Sequence, residues 1–181
     1  MRVIKTDIPD IKVIEPQVFG DERGFFLETF RTDWFKNNCA NVDFVQDNHS
    51  KSRQGILRGL HYQTVKPQGK LVRVVSGEVF DVTVDMRKDS PTYGRWFGVM
   101  LSAENKRLLW VPAGFAHGFY VVSETAEFVY KCTNYYHPES EISVKYDDPT
   151  LNIAWPLVNG EKPSLSGKDE AALAFVDAPT F

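Results

Sequence analysis

Apolar and polar residues alternate with a period of two along several stretches of the chain. In residues 80–86 the even positions are apolar and the odd positions polar, and residues 142–146 repeat this pattern. Such alternation is typical of a half-buried β-strand, because successive side chains of a strand point to opposite faces. Residues 68–75, 96–101 and 126–132 are further strand candidates. The pattern therefore predicts a chain made mostly of strands.

Turn-forming residues separate these stretches, and they cluster at residues 20–24, 76–78, 89–91 and 112–114. Many short strands with regular turns predict an all-β protein, either a β-sandwich or a β-barrel. Only two stretches look helical, residues 32–38 and residues 166–173, and the second begins like a capping box. Because no internal repeat or linker interrupts the pattern, we predict a single domain over residues 1–181.

The composition limits the class of protein further. The 181 residues include 21 Lys and Arg against 24 Asp and Glu, a formal net charge of −3, and 43% are hydrophobic, as in ordinary globular domains. The pI near 5.8 argues against nucleic-acid binding, which needs a basic face. The two cysteines, Cys39 and Cys132, form neither a disulfide framework nor a paired metal-binding motif.

Neither a membrane segment nor a secretion signal is predicted. The longest apolar stretch, residues 108–122, contains Pro112, two glycines and His117, so it does not fit a membrane span. The first seven residues lead into no apolar segment of the kind found in signal peptides. We therefore expect a soluble, cytoplasmic protein.

Two histidines lie in glycine-containing segments. His61 belongs to the predicted strand at residues 55–63, and His117 follows 56 residues later in a Pro-x-Gly-x-x-His sequence. These segments resemble the two motifs of the cupin superfamily, whose metal-binding members use a His-x-His pair and a Glu from the first motif and a His from the second. Here Gln63 replaces the second His and no Glu follows, so a metal site is disfavoured. The alternative for His117 is a loop histidine that bonds to the backbone.

A histidine without a metal can act as a general base. The ordinary pKa of imidazole, about 6.5, suits proton abstraction at neutral pH when another group orients the ring. Arg58 lies three residues before His61 and Lys70 nine residues after it. Cations near a base suggest an anionic substrate or negative charge in the transition state. The alternative is that these cations belong to a solvated strand face.

Eight segments of the chain resemble, in their order, the motifs of one enzyme family: residues 20–26, 44–50, 57–63, 69–73, 77–82, 110–119, 130–136 and 166–169. Together they resemble the dTDP-4-dehydrorhamnose 3,5-epimerase family, and the resemblance runs from about Val3 to about Asp169. It implies a cupin-type jelly-roll β-barrel or sandwich with a few short peripheral helices. It also implies conversion of dTDP-4-dehydro-6-deoxy-D-glucose to dTDP-4-dehydro-L-rhamnose, without a cofactor or a metal.

The resemblance also assigns catalytic roles. His61 would be the base, with Asp169 as the carboxylate that orients its ring. Tyr130 would return the proton from the opposite side, and Lys70 would stabilise the enolate oxygen at C4. Without the family, Asp169 reads as a helix cap and Tyr130 as a core tyrosine with a satisfied hydroxyl group.

Further residues match substrate contacts of the family. Arg23 and Arg58 would bind the diphosphate, because the guanidinium fork suits phosphate oxygens. The family is dimeric, and its N-terminal region reaches the neighbouring site, so Arg23 and Glu28 are expected to serve a partner subunit. Tyr136 is a candidate platform for thymine, with a sheet-edge aromatic as the alternative. The remaining contacts are Gln46, Asp47 and Asn48, for which a surface turn is the alternative, and His117, Glu141 and Lys168.

Other functions stay open at this point. An enzyme that inverts only C3 or only C5, or a ketoisomerase of a related dTDP-deoxysugar pathway, would share nearly all of these residues. A metal-dependent cupin oxygenase and a catalytically silent sugar-nucleotide binding module belong to different classes. The base, its carboxylate partner and the opposing tyrosine favour the cofactor-independent double epimerase.

Overall fold

The computed structural model describes residues 1–181 and consists mostly of strands. The helices are α1 (Thr32–Asn38) and α2 (Gly167–Glu170), with 3-10 turns at Pro138–Ser140, Val158–Gly160 and Phe175–Asp177. The strands are β1 (Arg2–Lys5), β2 (Lys12–Glu15), β3 (Val18–Asp21), β4 (Gly24–Leu27), β5 (Gln46–Arg53), β6 (Leu57–Gln63), β7 (Lys70–Ser76), β8 (Glu78–Asp85), β9 (Trp96–Ser102), β10 (Leu108–Val111), β11 (Phe115–Val121), β12 (Thr125–Cys132) and β13 (Glu141–Ser143).

Two antiparallel sheets face each other around the main core. One sheet has the strand order β1-β2-β10-β7-β12-β5 and the other β13-β6-β11-β8-β9, while β3 and β4 form a separate hairpin. Apolar side chains of both sheets, such as Val72, Leu101 and Phe128, meet in a buried cluster between them. Each sheet thereby removes one apolar face from water, which is the main source of stability for such a fold. The all-β jelly-roll prediction is confirmed.

Most of the predicted elements lie where the pattern placed them. Strands β7, β8, β9 and β12 coincide with the predicted strands to within two residues, and α1 spans the predicted helix at residues 32–38. At residues 142–146 the strand is shorter than predicted, since β13 ends at Ser143. At residues 166–173 the helix is a single turn, with Ser166 as its N-cap.

The prediction of a half-buried strand at residues 80–86 is wrong in one respect. Both faces of β8 are buried, and the polar residues Asp81, Thr83 and Asp85 have no exposed surface. These odd positions share the inner face with the core residue Val79. The apolar even positions, Val82 among them, instead face outward and are covered by the C-terminal part of the chain. The polar face of this strand therefore lies inside the protein.

Asp85, on that inner face, stabilises the turn that follows β8. It accepts hydrogen bonds from Arg87 Nε (2.9 Å), Ser90 Oγ (2.7 Å) and Thr92 Oγ1 (2.6 Å), which hold the turn after β8. Burial raises the pKa of Asp85, but these hydrogen bonds outweigh it and lower the pKa from 3.8 to about 2.

The depressed pKa of Asp85 predicts acid sensitivity of the fold. Because the folded value lies below the unfolded value, Asp85 contributes about 2 kcal/mol of unfolding free energy above pH 3.8, and this contribution is lost as the pH falls toward 2. Urea unfolding of the wild type and Asp85→Asn between neutral pH and pH ~2 tests this. A constant stability difference between the two proteins over that range would contradict it.

No helix of the structure has the length and apolar character needed to cross a membrane.

Candidate active site

A cavity of about 360 Å³ opens between the two sheets. Its volume lies within the range of small-molecule sites. It is lined from one sheet by β5, β7 and β12 and from the other by β6, β11 and β13, with α2 at its rim. Eleven of the fourteen site residues expected from the sequence line it: Gln46, Asn48, Arg58, His61, Lys70, His117, Tyr130, Tyr136, Glu141, Lys168 and Asp169.

Two glycines allow the strands that carry the histidines to come close together. A Cβ atom on Gly59 of β6 would lie 2.5 Å from Gly118 Cα, and one on Gly118 of β11 would lie 2.6 Å from the Arg58 carbonyl oxygen. Side chains do not fit at either position. At this close approach His61 and His117 are paired directly across the two strands, so their side chains share one face.

His61 and Asp169 form a hydrogen-bonded pair at the cavity wall. His61 Nε2 lies 2.5 Å from Asp169 Oδ1, and Ser166 Oγ donates to the other oxygen, Oδ2, at 2.8 Å. Burial raises the pKa of Asp169, but the hydrogen bond and charge of His61 outweigh it, so the pKa lies below its usual value and the group is a carboxylate. Nε2 therefore carries the proton that Asp169 accepts, and Nδ1 is the basic nitrogen.

The position of Asp169 depends on how the chain returns to the second sheet. Helix α2 is flanked by two isolated parallel bridges, between Ile56 and Ser164 before it and between Val144 and Leu173 after it. These bridges fix both ends of the segment that presents Asp169 to His61. Asp169 therefore has two roles. Its backbone N–H donates to Ser166 Oγ in the helix cap, as the helix-cap alternative expected, and its carboxylate bonds His61.

Glu141 lies near the other nitrogen of the same imidazole. Its Oε1 is 4.0 Å from His61 Nδ1, while Oε2 accepts hydrogen bonds from Lys168 Nζ (2.6 Å) and Tyr136 OH (2.9 Å). Burial raises the pKa of Glu141, but Lys168, His61 and Tyr136 together bring it below its usual value. Its negative charge would stabilise an imidazolium formed at His61.

Lys70 and Tyr130 face His61 across the cavity from the opposite sheet. Lys70 Nζ has no hydrogen-bond partner in the chain; burial lowers its pKa, and Cys132, Glu141 and Asp81 oppose that shift. Burial raises the pKa of Tyr130, so its hydroxyl group stays protonated at neutral pH. A cation and a proton donor thus stand opposite a base.

His117 differs from the loop histidine considered as its alternative. It lies in strand β11, is 7% exposed, and its Nε2 is 2.9 Å and 3.0 Å from the two carboxylate oxygens of Asp81. Asp81 has no exposed surface. Asp81 is not predicted as a site residue from the sequence, because an acidic residue at an alternating position of a half-buried strand is expected to face solvent. The sequence did contain an indication that Asp81 belongs to the site, since Asp81 lies within one of the eight segments that resemble the family.

Three expected site residues lie outside this cavity. Arg23 is on the β3–β4 hairpin, where its exposed side chain bonds Asp21, and Glu28 follows that hairpin, 3.7 Å from Arg31. Asp47 lies on the opposite face of β5 and pairs with Lys131 at 3.0 Å. Within one chain, these three residues are not part of the site.

The cavity also contains residues that sequence reasoning did not select. Phe119 and Phe128 stack on each other with their ring centroids 4.2 Å apart and form an apolar part of the wall. Three polar residues, Ser50, Gln68 and Ser166, line it as well. No group of three or more His, Cys, Asp and Glu side chains in the structure is arranged to hold a metal ion.

Comparison with known proteins places this chain among sugar-nucleotide epimerases. The sequence model of a family described as dTDP-4-dehydrorhamnose 3,5-epimerase matches residues 5–177. The chain is 59% identical over 184 residues to the protein of that name from Shigella flexneri, covering 100% of this chain and 99% of the relative. It is 58% identical over 178 residues to the one from Neisseria gonorrhoeae, covering 98% of this chain and 54% of that relative, so it spans about half of that protein's length.

A solved structure agrees with these relatives. The crystal structure of dTDP-6-deoxy-D-glucose-3,5-epimerase from Legionella pneumophila Philadelphia 1, in complex with dTDP-4-keto-L-rhamnose, is 57% identical and superposes with a TM-score of 0.94. The match covers 97% of this chain and 93% of the Legionella chain. The sequence resemblance, the facing sheets and the cavity between them all agree with these matches, and the chain belongs to the dTDP-4-dehydrorhamnose 3,5-epimerase family.

Proposed function

We propose that this protein inverts C3 and C5 of dTDP-4-dehydro-6-deoxy-D-glucose and releases dTDP-4-dehydro-L-rhamnose, a step of dTDP-L-rhamnose biosynthesis. The observation that carries the proposal is the His61–Asp169 pair, with 2.5 Å between Nε2 and Oδ1, across one cavity from Tyr130 and Lys70. The relatives named above bear the same activity in their names, and the Legionella structure holds a ligand of this class.

The chemistry follows from the ketone at C4 of the sugar. Both C3–H and C5–H are α to that carbonyl group, so removing either proton gives an enolate with its charge on the C4 oxygen. His61 Nδ1 takes the proton while Asp169 and Glu141 stabilise the imidazolium. Lys70 stabilises the enolate oxygen, and Tyr130 returns a proton to the opposite face of the carbon.

After each inversion His61 and Tyr130 must return to their starting protonation states. The reprotonated carbon is inverted, the C4 carbonyl group reforms, and no electrons leave the substrate. The imidazolium of His61 loses its proton and the tyrosinate of Tyr130 gains one, by exchange with solvent at the open cavity. The same residues then act at the second α-carbon.

A proton NMR time course in D₂O tests this function. The double epimerase incorporates deuterium at both C3 and C5 and produces the L-sugar. Label at only one position would identify an enzyme that inverts a single centre, and binding of the substrate without exchange would identify a silent binding module. Metal analysis of the purified protein adds a separate check, since activity that depends on a stoichiometric first-row metal would contradict the proposal.

Arg58 is proposed to bind the diphosphate at the cavity mouth. Arg58 is exposed, and its Nε donates to Ser52 Oγ at 3.0 Å, which orients the guanidinium group. We expect Arg58→Ala to weaken dTDP binding roughly tenfold, the loss of a charged hydrogen bond of about 1.5 kcal/mol. Isothermal titration calorimetry measures this, with Arg53→Ala, an exposed arginine outside the cavity, as the matched control. Equal affinity of the two variants would exclude Arg58 from binding.

A homodimer is proposed because the β3–β4 hairpin exposes large apolar side chains to solvent. It exposes Phe19, Phe25 and Phe26 by 56%, 64% and 71%, while the two site residues Arg23 and Glu28 lie on or beside it, away from their own cavity. Exposed apolar clusters of this kind mark protein interfaces. We propose that the hairpin brings Arg23 and Glu28 to the cavity of a second copy. Light scattering is expected to give twice the chain mass of 20.6 kDa.

A further inference from the structure

The structure contains a second histidine–carboxylate pair, Asp81–His117, behind the surface of the cavity. Asp81 has no exposed surface, and both of its carboxylate oxygens lie within 3.0 Å of His117 Nε2. The ring of His117 is also stacked against Phe128, with 6.1 Å between centroids and an interplanar angle of 28°. The imidazole is therefore held by a hydrogen bond at one edge and by an aromatic ring on one face.

This pair lies next to the proposed base. His117 and His61 are directly paired across β11 and β6, a relation that places the Cβ atoms of such residues about 5 Å apart on one face. Both side chains line the same cavity. His117 therefore faces the part of the ligand that reacts at His61, which is the sugar and not the thymine or the diphosphate.

The tautomer of His117 follows from its partner. Both carboxylate oxygens of Asp81 lie within 3.0 Å of Nε2, an arrangement in which one N–H group donates to two acceptors, so Nε2 donates to Asp81. Nδ1 has no hydrogen-bond partner within the chain and, in the neutral ring, is an acceptor. The groups of a keto-sugar that can donate to such an acceptor are its hydroxyl groups. Burial raises the pKa of Asp81, and the charge and hydrogen bond of His117 and the charge of Lys70 oppose that shift.

We propose that Asp81 is a positioning residue, which holds His117 so that Nδ1 faces the cavity and accepts a hydrogen bond from a hydroxyl group of the sugar. This inference rests on the proposed function, because it takes the ligand to be a keto-sugar nucleotide. Asp81 itself does not touch the ligand. Its effect on the reaction is expected to pass entirely through His117.

A double-mutant cycle tests this dependence. We expect Asp81→Asn to lower kcat/KM about tenfold, because an amide can donate to Nε2 and place the proton on Nδ1 instead. His117→Phe, which keeps an aromatic ring beside Phe128, is expected to have an effect of similar size. In the His117→Phe background, Asp81→Asn is expected to change kcat/KM by less than about twofold. Additive losses, or full activity of Asp81→Asn, would overturn the proposal.

Two measurements separate positioning from a general structural effect. The dissociation constant of dTDP, which lacks the sugar, is expected to stay within about twofold of the wild type in Asp81→Asn. A tenfold weaker dTDP complex would overturn the assignment to the sugar. Asp85→Asn is the matched control, since it also removes a fully buried carboxylate from β8, but one whose partners Arg87, Ser90 and Thr92 do not line the cavity. We expect it to lower stability and leave kcat/KM unchanged.

A readout that does not depend on turnover completes the test. In ¹⁵N NMR spectra recorded where the ring is neutral, His117 is expected to carry its proton on Nε2 in the wild type and to lose that preference in Asp81→Asn. A protonated Nδ1 in the wild type would overturn the proposal. If the wild type exchanged no substrate protons, the proposed function would fail, and this spectrum would still decide how Asp81 orients His117.

Discussion

The variant His61→Ala is expected to lose deuterium exchange at C3 and at C5 together, with a fall of about 10²–10⁴-fold in rate, the usual contribution of a general base. No other imidazole is expected to replace it, because Nδ1 of His117 is assigned to a hydroxyl group of the sugar and the remaining histidines, His49 and His137, do not line the cavity. The NMR time course in D₂O measures both exchange rates in one sample.

The control for this variant is His49→Ala. His49 is exposed and pairs with Glu127 at 3.2 Å, outside the cavity that holds His61. We expect His49→Ala to exchange both protons at the wild-type rate, and the melting temperatures of both variants show whether they are folded. Exchange in folded His61→Ala at more than about a tenth of the wild-type rate would remove His61 from the role of base.

Tyr130→Phe is expected to separate proton removal from inversion. The variant keeps His61 and Asp169, so the base still abstracts a proton and can return a deuteron to the same face of the carbon. It lacks the hydroxyl group on the opposite sheet, so inverted product is expected to fall about 10²-fold or more. The ratio of deuterium exchange to product formation, followed by NMR, is therefore expected to rise strongly.

The matched control is Tyr135→Phe, which also removes a tyrosine hydroxyl group. Tyr135 is 60% exposed and lies outside the cavity. It is expected to keep the wild-type ratio of exchange to inversion. If Tyr130→Phe formed inverted product as fast as the wild type, another group would have to be the acid. If exchange and inversion fell equally, Tyr130 would act before the proton is removed.

The strand pattern was predictable because burial on a sheet imposes a period of two. Strand β8 was located from that period, and β7, β9 and β12 were further strand candidates between predicted turns. The inward face shared by Phe128, Tyr130 and Cys132 was also predicted, and Phe128 and Cys132 have 1% and 0% exposure. Helix α1 was predicted as a stretch of about two turns that begins with an N-cap candidate, and α2 from a capping box that begins at Ser166. Local rules suffice where local sequence decides the structure.

Strand β5 was not predicted, and the reason is that it lines the polar cavity. All of its residues, Gln46–Arg53, are polar, so no apolar alternation marks it as a strand. It pairs along its whole length with β12 and turns Gln46, Asn48 and Ser50 toward the cavity. A strand that lines a polar site has no apolar face there, so the period-two signal disappears where the site begins.

The candidate site was predictable only through the family. His61 and Asp169 are separated by 108 residues, and nothing in their local sequences states that they meet. The resemblance supplied that pairing, but it did not supply the carboxylate behind His117. Asp81 became visible only when the fold showed which face of β8 points inward.

The order of the chain sets the time at which this site is completed. Asp169 comes after all thirteen strands, on a one-turn helix fastened by two bridges. During synthesis on the ribosome the whole jelly roll is therefore translated before the carboxylate that orients His61. A nascent or proteolytically shortened protein that ends before α2 would keep the imidazole of His61, yet it would lack one rim of the cavity and the carboxylate that sets the proton on the correct nitrogen.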